Sequence, residues 1–386
     1  QYNALLRYAF QVTDNELASL GWNQKEMERS KKPVLKKTES FGWFDGEKLA
    51  SQISVYPMQV NLFGTMYNMG GVTGVATYPE YMGHGLMAHL MKKALDNMRE
   101  NHQCVSMLFP YLIPYYRKKG WEIVSDKMTY TIKDTQLPKH RKVGGMVERV
   151  DIDSEDVHRV HDAFSAMRHG ALKRNELEWE EYWRWEADDV LVAVYYDANE
   201  KPTGYLVYYI ANDVFRIKEL VYVNQEARHG LWNYISAHFS MIEKVVGNNY
   251  TNEPMAFLLE DSEIQEEIEP YIMARIVDFE EFIRQYPFDI ISIHDDLHFI
   301  IDDPIMECNC GDFSLRWDAA GNTILERGGT RGETVRCDIQ TLTAMFYGYK
   351  RPTYLKRVER LQANDTAVRI LEDIIPIEQP YFSDYF

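Results

Sequence analysis

Two glycines around a histidine, Gly83-His84-Gly85, stand between a β-branched run and an amphipathic run, and that spacing suits anion binding. Val72 to Thr77 reads as a buried strand, and Tyr78-Pro79-Glu80-Tyr81-Met82 as the start of a turn. From Leu86 onward, Leu86, Leu90, Met91, Ala94, Leu95 and Met98 recur at helical spacing, so one helix face can pack on a sheet. A glycine turn feeding a helix start leaves backbone N–H groups unpaired, and these bind an anion without a charged side chain. The reading is a cofactor pyrophosphate seated on this turn. His84 is read as a solvated side chain flanking the phosphates, not as a catalytic base.

Other residues with chemical potential have plainer readings. Trp179, Trp183 and Trp185 lie at helical spacing, which suits a core or interface; aromatics among acids can also hold a polycation. Glu260 to Glu281 carries nine acidic residues against a single Arg275 and reads as a solvated helix pair near a domain boundary, or as an acidic approach for a cation. Cys104, Cys308, Cys310 and Cys337 are too few and too scattered for a disulfide framework. Cys308-x-Cys310 has no second pair at zinc spacing, so no metal site is expected.

The elements that must position the turn follow from pattern. Helical segments are expected around Ala4–Leu20 and Lys25–Arg29. Asp45-Gly46 between strand-like runs signals a hairpin. The strand Tyr56–Phe63 turns at Gly64 toward the glycine-bearing stretch. Val105–Phe109 and Met128–Ile132 read as strands, and the polar run Lys133–Gly145 as a linker. A second region repeats the plan: helices Glu155–His169 and Glu176–Glu186, strands over 190–196, 204–210 and 214–223, and a helix near Leu231–Glu243. Arg228-His229-Gly230-Leu231 echoes Gly83-His84-Gly85-Leu86, like a decayed copy in which Arg228 would crowd a pyrophosphate. One cofactor site per chain is expected, in the first copy. Beyond Pro287, strands Leu297–Ile301, Cys308–Trp317, Asn322–Glu326 and Val335–Ile339 precede helices Gln340–Phe346, Pro352–Gln362 and Asp365–Ile374. That grouping indicates a separate α+β domain. The apolar end Tyr381-Phe382-Ser383-Asp384-Tyr385-Phe386 is expected to dock.

Composition bounds the function. A chain of 386 residues exceeds one core and divides into two or three domains. A net charge of −17 argues against nucleic acid, whose binding needs basic surface, and favours cationic substrates or simply solubility. No apolar run reaches the length of about 18 residues that marks a membrane span. The first residues lack a signal-peptide layout and open in mid-helix without an initiator Met, so upstream residues are expected to be missing. A reducing, cytoplasmic setting fits.

The segment Val75-Ala76-Thr77-Tyr78-Pro79-Glu80-Tyr81-Met82-Gly83-His84-Gly85-Leu86 resembles motif A of the GNAT acyl-CoA-dependent N-acetyltransferases. Tyr115-Tyr116-Arg117-Lys118-Lys119-Gly120-Trp121 resembles the FYxxxGF element closing the same domain. With a second copy and a sterol-carrier-like end, the chain is similar to the enhanced-intracellular-survival (Eis) acetyltransferases over nearly its whole length. Met82 and Met87 depart from the motif's Arg/Gln and Gly/Ala, and Gly85 is retained.

The resemblance implies an α/β (α+β) fold: a GNAT domain over 1–145, a degenerate GNAT-like domain over 146–287 and a sterol-carrier-like domain over 288–386. It implies acetyl-CoA as co-substrate, gripped by Val75, Thr77, Gly83, His84, Gly85 and Leu86, largely through backbone groups. In the same resemblance Tyr116 is the general acid for the CoA sulfur and the C-terminal carboxylate of Phe386 the base, with no metal. Spacing to Gly120 favours Tyr116 over Tyr115. The implied function is acetylation of primary amines on a cationic small molecule such as an aminoglycoside or polyamine, by a homo-hexamer. Acetylation of a protein lysine, or lipid carriage by the C-terminal domain without catalysis, are the alternatives.

Overall fold

A computed structural model describes residues 1–13, 35–184, 190–251, 253–289, 295–318 and 320–386. The chain falls into two compact units. Unit one holds Gln1–Val124, Tyr271–Pro380 and Tyr385–Phe386; unit two holds Ser125–Pro270 and Tyr381–Asp384. The expected Lys25–Arg29 helix and Trp185 lie outside the described residues.

In unit one a short helix, α1 (Tyr2–Ala9), precedes strands β1 (Glu39–Asp45), β2 (Lys48–Leu62) and β3 (Thr65–Thr77). The Asp45-Gly46 signal holds: Asp45 pairs with Lys48, and Gly46 takes φ +59°. The next hairpin turns on Phe63 and Gly64, both at positive φ, between paired Leu62 and Thr65. That is the twist a two-residue hairpin requires.

Helix α2 (Leu86–Glu100) follows, burying Leu90, Met91, Ala94, Leu95 and Met98 as the periodicity predicts. Its packing on the sheet is close. A Cβ on Gly70 would stand 2.7 Å from the Met98 sulfur. Strand β4 (Val105–Leu108) runs parallel to β3, and Met273–Ile276 pairs antiparallel with β4. Helix α3 (Ile113–Arg117) and the first residues of β5 (Glu122–Lys133) complete this part. One core joins Ile53, Val72, Leu90, Met98, Trp121 and Met273.

The same unit carries a five-stranded sheet in the order Thr323–Arg327, Gly311–Trp317, Leu297–Asp302, Glu333–Asp338, Gln362–Ala363. Helices Ile339–Phe346, Pro352–Arg357 and Asp365–Ile374 follow its first four strands, the grouping expected of an α+β domain, but the helix expected over Pro352–Gln362 ends at Arg357 and Gln362–Ala363 pairs as the fifth strand.

In unit two, β5 pairs with Lys244–Asn249, and strands Val214–Tyr222, Pro202–Ala211, Leu191–Tyr196 and Met146–Val150 follow in spatial order. Two expectations fail, one where the chain passes from unit two into unit one and one within unit two. The acidic stretch is not a helix pair: Gln265–Ile276 is a strand, because Tyr271–Ile276 is a continuous buried run of the kind a covered strand presents. The helix expected from Leu231 begins at Gln225, where the Asn224 side chain accepts from the Ala227 N–H. Gly230 therefore lies inside a helix, where a Cβ would strike the Tyr195 ring at 2.2 Å. It serves helix–strand packing, whereas Gly85 is a helix N-cap.

Candidate active site

Strand β3 leaves its neighbour part-way. The ladder between β3 and β4 joins only Met69–Gly71 to Val105–Met107. Past Gly71, β3 continues to Thr77 on β2 alone, with a register shift between Gln52 and Ser54 and Gly74 at φ +61°. The edge of Val72–Thr77 that faces away from β2 is thus not laddered to β4. Backbone groups on that edge can serve an extended ligand as a strand would. Gly74 has a second duty: a Cβ would stand 2.0 Å from the Tyr2 hydroxyl, which accepts a hydrogen bond from Ser54 Oγ.

The chain then crosses Pro79–Tyr81 and enters the glycine turn. Gly83 has φ +82° and Gly85 φ +75°, a region that costs other residues about 1–2 kcal/mol. Nothing lies within 4 Å of a Cβ built on Gly83. The turn residues Gly83, His84 and Gly85 are exposed, and no side chain caps α2, whose N-cap is Gly85. Unpaired N–H groups at a 15-residue helix start, opening into free space, form an anion cradle. Met82 is exposed, so its departure from the motif removes no packing. His89 bonds back to the Gly85 carbonyl at 3.0 Å and steadies the turn from within the helix.

Tyr116 lies on α3 and is buried. Its ring meets Tyr115 and Trp121 edge-on, at 5.2 and 6.3 Å between centroids. Burial pushes the Tyr116 phenol well above its ordinary value, and Tyr115 adds to this. Tyr115 is also raised by burial. At the far end of the chain, the Phe386 ring packs against Tyr56 at 6.3 Å and beside Gly71. Unit one thus brings the β3 edge, the glycine turn, Tyr116 and Phe386 into one compact body.

Comparison with known proteins matches residues 1–124 to an acetyltransferase (GNAT) domain, 170–276 to a second acetyltransferase (GNAT) domain, and 279–383 to a sterol carrier protein domain. The order is that expected of Eis acetyltransferases. The chain is a GNAT acetyltransferase of Eis-like architecture.

Among solved structures, this acetyltransferase is similar to an Enterococcus faecalis protein titled "Probable N-Acyltransferase", at 29% identity and TM-score 0.90, covering 100% of this chain and 96% of that one. It shares its fold with a GCN5-related N-acetyltransferase from Anabaena variabilis, at 23% identity and TM-score 0.86, covering 100% and 97%. It also shares its fold with Eis1 from Mycobacterium abscessus, at 17% identity and TM-score 0.77, covering 90% of each chain. No curated protein sequence matches the chain. GNAT acetyltransferases use acetyl-CoA, and the open β3 edge beside an uncapped glycine turn suits a pantetheine arm ending in a pyrophosphate.

Several residues of this acetyltransferase escaped the sequence reading. In unit two, buried Arg174 forks onto Glu219 at 2.7 and 3.1 Å and donates to Asp384 at 2.6 Å, while Tyr205 donates to Glu219. The fork anchors Tyr381–Asp384 to that unit. Trp179 is buried in the same unit's core and stacks on His158, the plainer of its two readings. Trp183, Trp179, His158, Asp162 and Glu176 line a cavity of about 440 Å³. In unit one, Arg275 was visible as the lone cation of an acidic stretch, a signal passed over. Among the described residues, no group of three or more His, Cys, Asp or Glu could hold a metal, and no helix is long and apolar enough to cross a membrane.

Proposed function

We propose that this acetyltransferase acts on primary amines of a cationic small molecule, of aminoglycoside or polyamine type. The observation that carries the reading is the β3 edge past Gly71, unpaired with β4, which leads through Pro79–Tyr81 into the uncapped glycine turn of α2. In this reading the main chain of Val75 and Thr77 pairs with the pantetheine arm and the acetyl carbonyl. Backbone groups of Gly83, His84, Gly85 and Leu86 take the pyrophosphate, with the His84 side chain flanking it.

The amine nitrogen attacks the thioester carbon, the C–S bond breaks, and the products are an amide and a thiol. An alkyl ammonium, mostly charged at pH 7 with a pKa of about 10, loses two protons on its way to the amide. The first leaves before attack, and the Phe386 carboxylate takes it, directly or through water. The departing sulfur takes a proton from Tyr116, whose phenol is protonated at neutral pH and is pushed further up by burial. The second proton leaves the nitrogen after attack and restores the Tyr116 phenol, so one proton is released to solvent in each turnover. The net charge of −17 supports a cationic acceptor by raising its local concentration. A homo-hexameric assembly, a cytoplasmic setting and domain limits at 145 and 287 belong to the same proposal.

The test is thiol release from acetyl-CoA across a panel of aminoglycosides, polyamines and lysine peptides. Turnover confined to small polycations supports the reading. Acetyl-CoA binding without turnover on any amine overturns it.

A further inference from the structure

Tyr116 is followed by a tight turn, Arg117–Glu122, and that turn is held by Arg275 from strand Gln265–Ile276 and by residues of the sterol-carrier domain, all within unit one. Arg275 stands at the centre. Its side chain is fully buried, its Nη1 donates to the Lys119 carbonyl at 2.6 Å, and its guanidinium lies 5.1 Å over the Trp121 ring. Gly120, at φ +92°, leaves room for it: a Cβ would come within 2.6 Å of Arg275 Nη1. The turn is joined to Tyr116 by its backbone, since the Tyr116 carbonyl accepts from the N–H groups of Lys119 at 2.9 Å and Trp121 at 3.1 Å.

Asp303 pairs with Arg275 Nη2 from within the sterol-carrier domain. It is itself pinned: its Oδ1 accepts from the backbone N–H groups of Ile305 and Met306 at 2.9 Å each, and its Oδ2 from Asn309 Nδ2 at 2.8 Å. Two further grips come from the same domain. Gln340 Nε2 donates to the Arg117 carbonyl at 2.8 Å, and Arg360 pairs with Glu122 at 3.0 Å. A buried ion pair contributes little net stability over a well-packed apolar pair, because desolvation offsets the attraction. What a guanidinium adds is direction, through several donors in one rigid plane.

We infer that Arg275, aimed by Asp303, is a positioning residue for Tyr116, so that the sterol-carrier domain works as a clamp on the catalytic turn of the acetyltransferase domain. This rests on the reading of Tyr116 as the general acid. A misplacement near 1 Å at a reacting group costs about 100-fold in rate.

The test uses the full chain with Arg275→Lys, Asp303→Asn and the double variant Arg275→Met/Asp303→Leu, which replaces the pair with apolar packing and guards against simple unfolding. Each is assayed with acetyl-CoA and the fastest amine of the panel, alone and combined with Tyr116→Phe. The expected result is a kcat loss of about 100-fold in the folded double variant, a KM for acetyl-CoA within about twofold, and no further loss when Tyr116 is already Phe. Unchanged kcat, a loss confined to KM, or full additivity with Tyr116→Phe overturns the inference. The fluorine resonance of 3-fluorotyrosine at position 116 supplies a readout that needs no turnover. A shifted resonance in the double variant supports positioning even if Tyr116→Phe proves fully active and only the acid role falls. An unshifted resonance overturns positioning.

Discussion

The Phe386 ring fills the space that a side chain on Gly71 would occupy. A Cβ there would stand 2.8 Å from the ring and 3.0 Å from the Met58 sulfur. Gly71 is also the last residue of β3 laddered to β4. The point where the strands part and the point where the chain's last residue docks are therefore one place.

Gly71→Val should destabilise the protein by about 1–3 kcal/mol, the usual cost of overpacking, although valine is otherwise the better strand residue. The larger effect should be on kcat, because the displaced group is the proposed base. Denaturant unfolding and steady-state kinetics on one sample separate the two. A stable, fully active variant would show that the Phe386 ring yields freely.

Two glycines appended after Phe386 move its carboxylate without altering any side chain. The expected outcome is a fall in kcat of about 100-fold, typical for loss of a general base, with acetyl-CoA affinity unchanged. Wild-type kinetics would remove the carboxylate from the mechanism.

Tyr116→Phe removes the proton donor and keeps the ring that packs on Trp121. It should lower kcat by about 10²–10⁴-fold while the Kd for acetyl-CoA, measured by calorimetry, stays within about twofold. Equal losses in both would assign Tyr116 to structure alone.

Gly85→Ala places a Cβ on a residue at φ +75°, where the nearest neighbour, the His89 ring, is at an ordinary contact distance of 4.0 Å. Only backbone strain is added, about 1–2 kcal/mol, relieved by unwinding the turn. Acetyl-CoA affinity should drop about tenfold with kcat at saturation nearly intact. An unaltered Kd would mean that the cradle tolerates relaxation.

Burial holds the phenols of Tyr67, Tyr116, Tyr130, Tyr286 and Tyr347 above the ordinary tyrosine value of 10.0. The sign follows from linkage: the folded state keeps protons that the unfolded chain releases once pH passes 10. The stability from these groups is complete below about pH 10 and is lost progressively above it. Thermal unfolding followed from pH 8 to pH 11.5 should show Tm falling steeply over the last two units. The tyrosinate absorbance of these buried phenols should rise only with unfolding, above the part contributed by exposed tyrosines such as Tyr8 and Tyr111.

Much of this was legible in the sequence because the signals are short-ranged. The α2 stripe, the Asp45-Gly46 hairpin and the glycine turn each declare themselves within a few residues, and each stands where expected. Gln265–Ile276 was misread because its acidic first half suggested a solvated helix, while the apolar half from Tyr271 pairs with β4, far away in sequence. Gly230 was misread for a related reason: two glycine-bearing strings look alike, and the Asn224 cap decides which one lies in a turn.

By itself, then, the sequence determined most of the elements, the domain order and a glycine turn suited to an anion, since period and turn chemistry act locally. The tertiary structure alone decided what supports them. The bond from Arg275 to the Lys119 carbonyl spans 156 residues, and that from Arg174 to Asp384 spans 210. Closing such distances has an entropic cost that only many cooperating contacts repay, and no local pattern records the partner. The glycines at 71, 74 and 120 belong to the same class. Each is a space left for a side chain that arrives from elsewhere: Phe386, Tyr2 and Arg275.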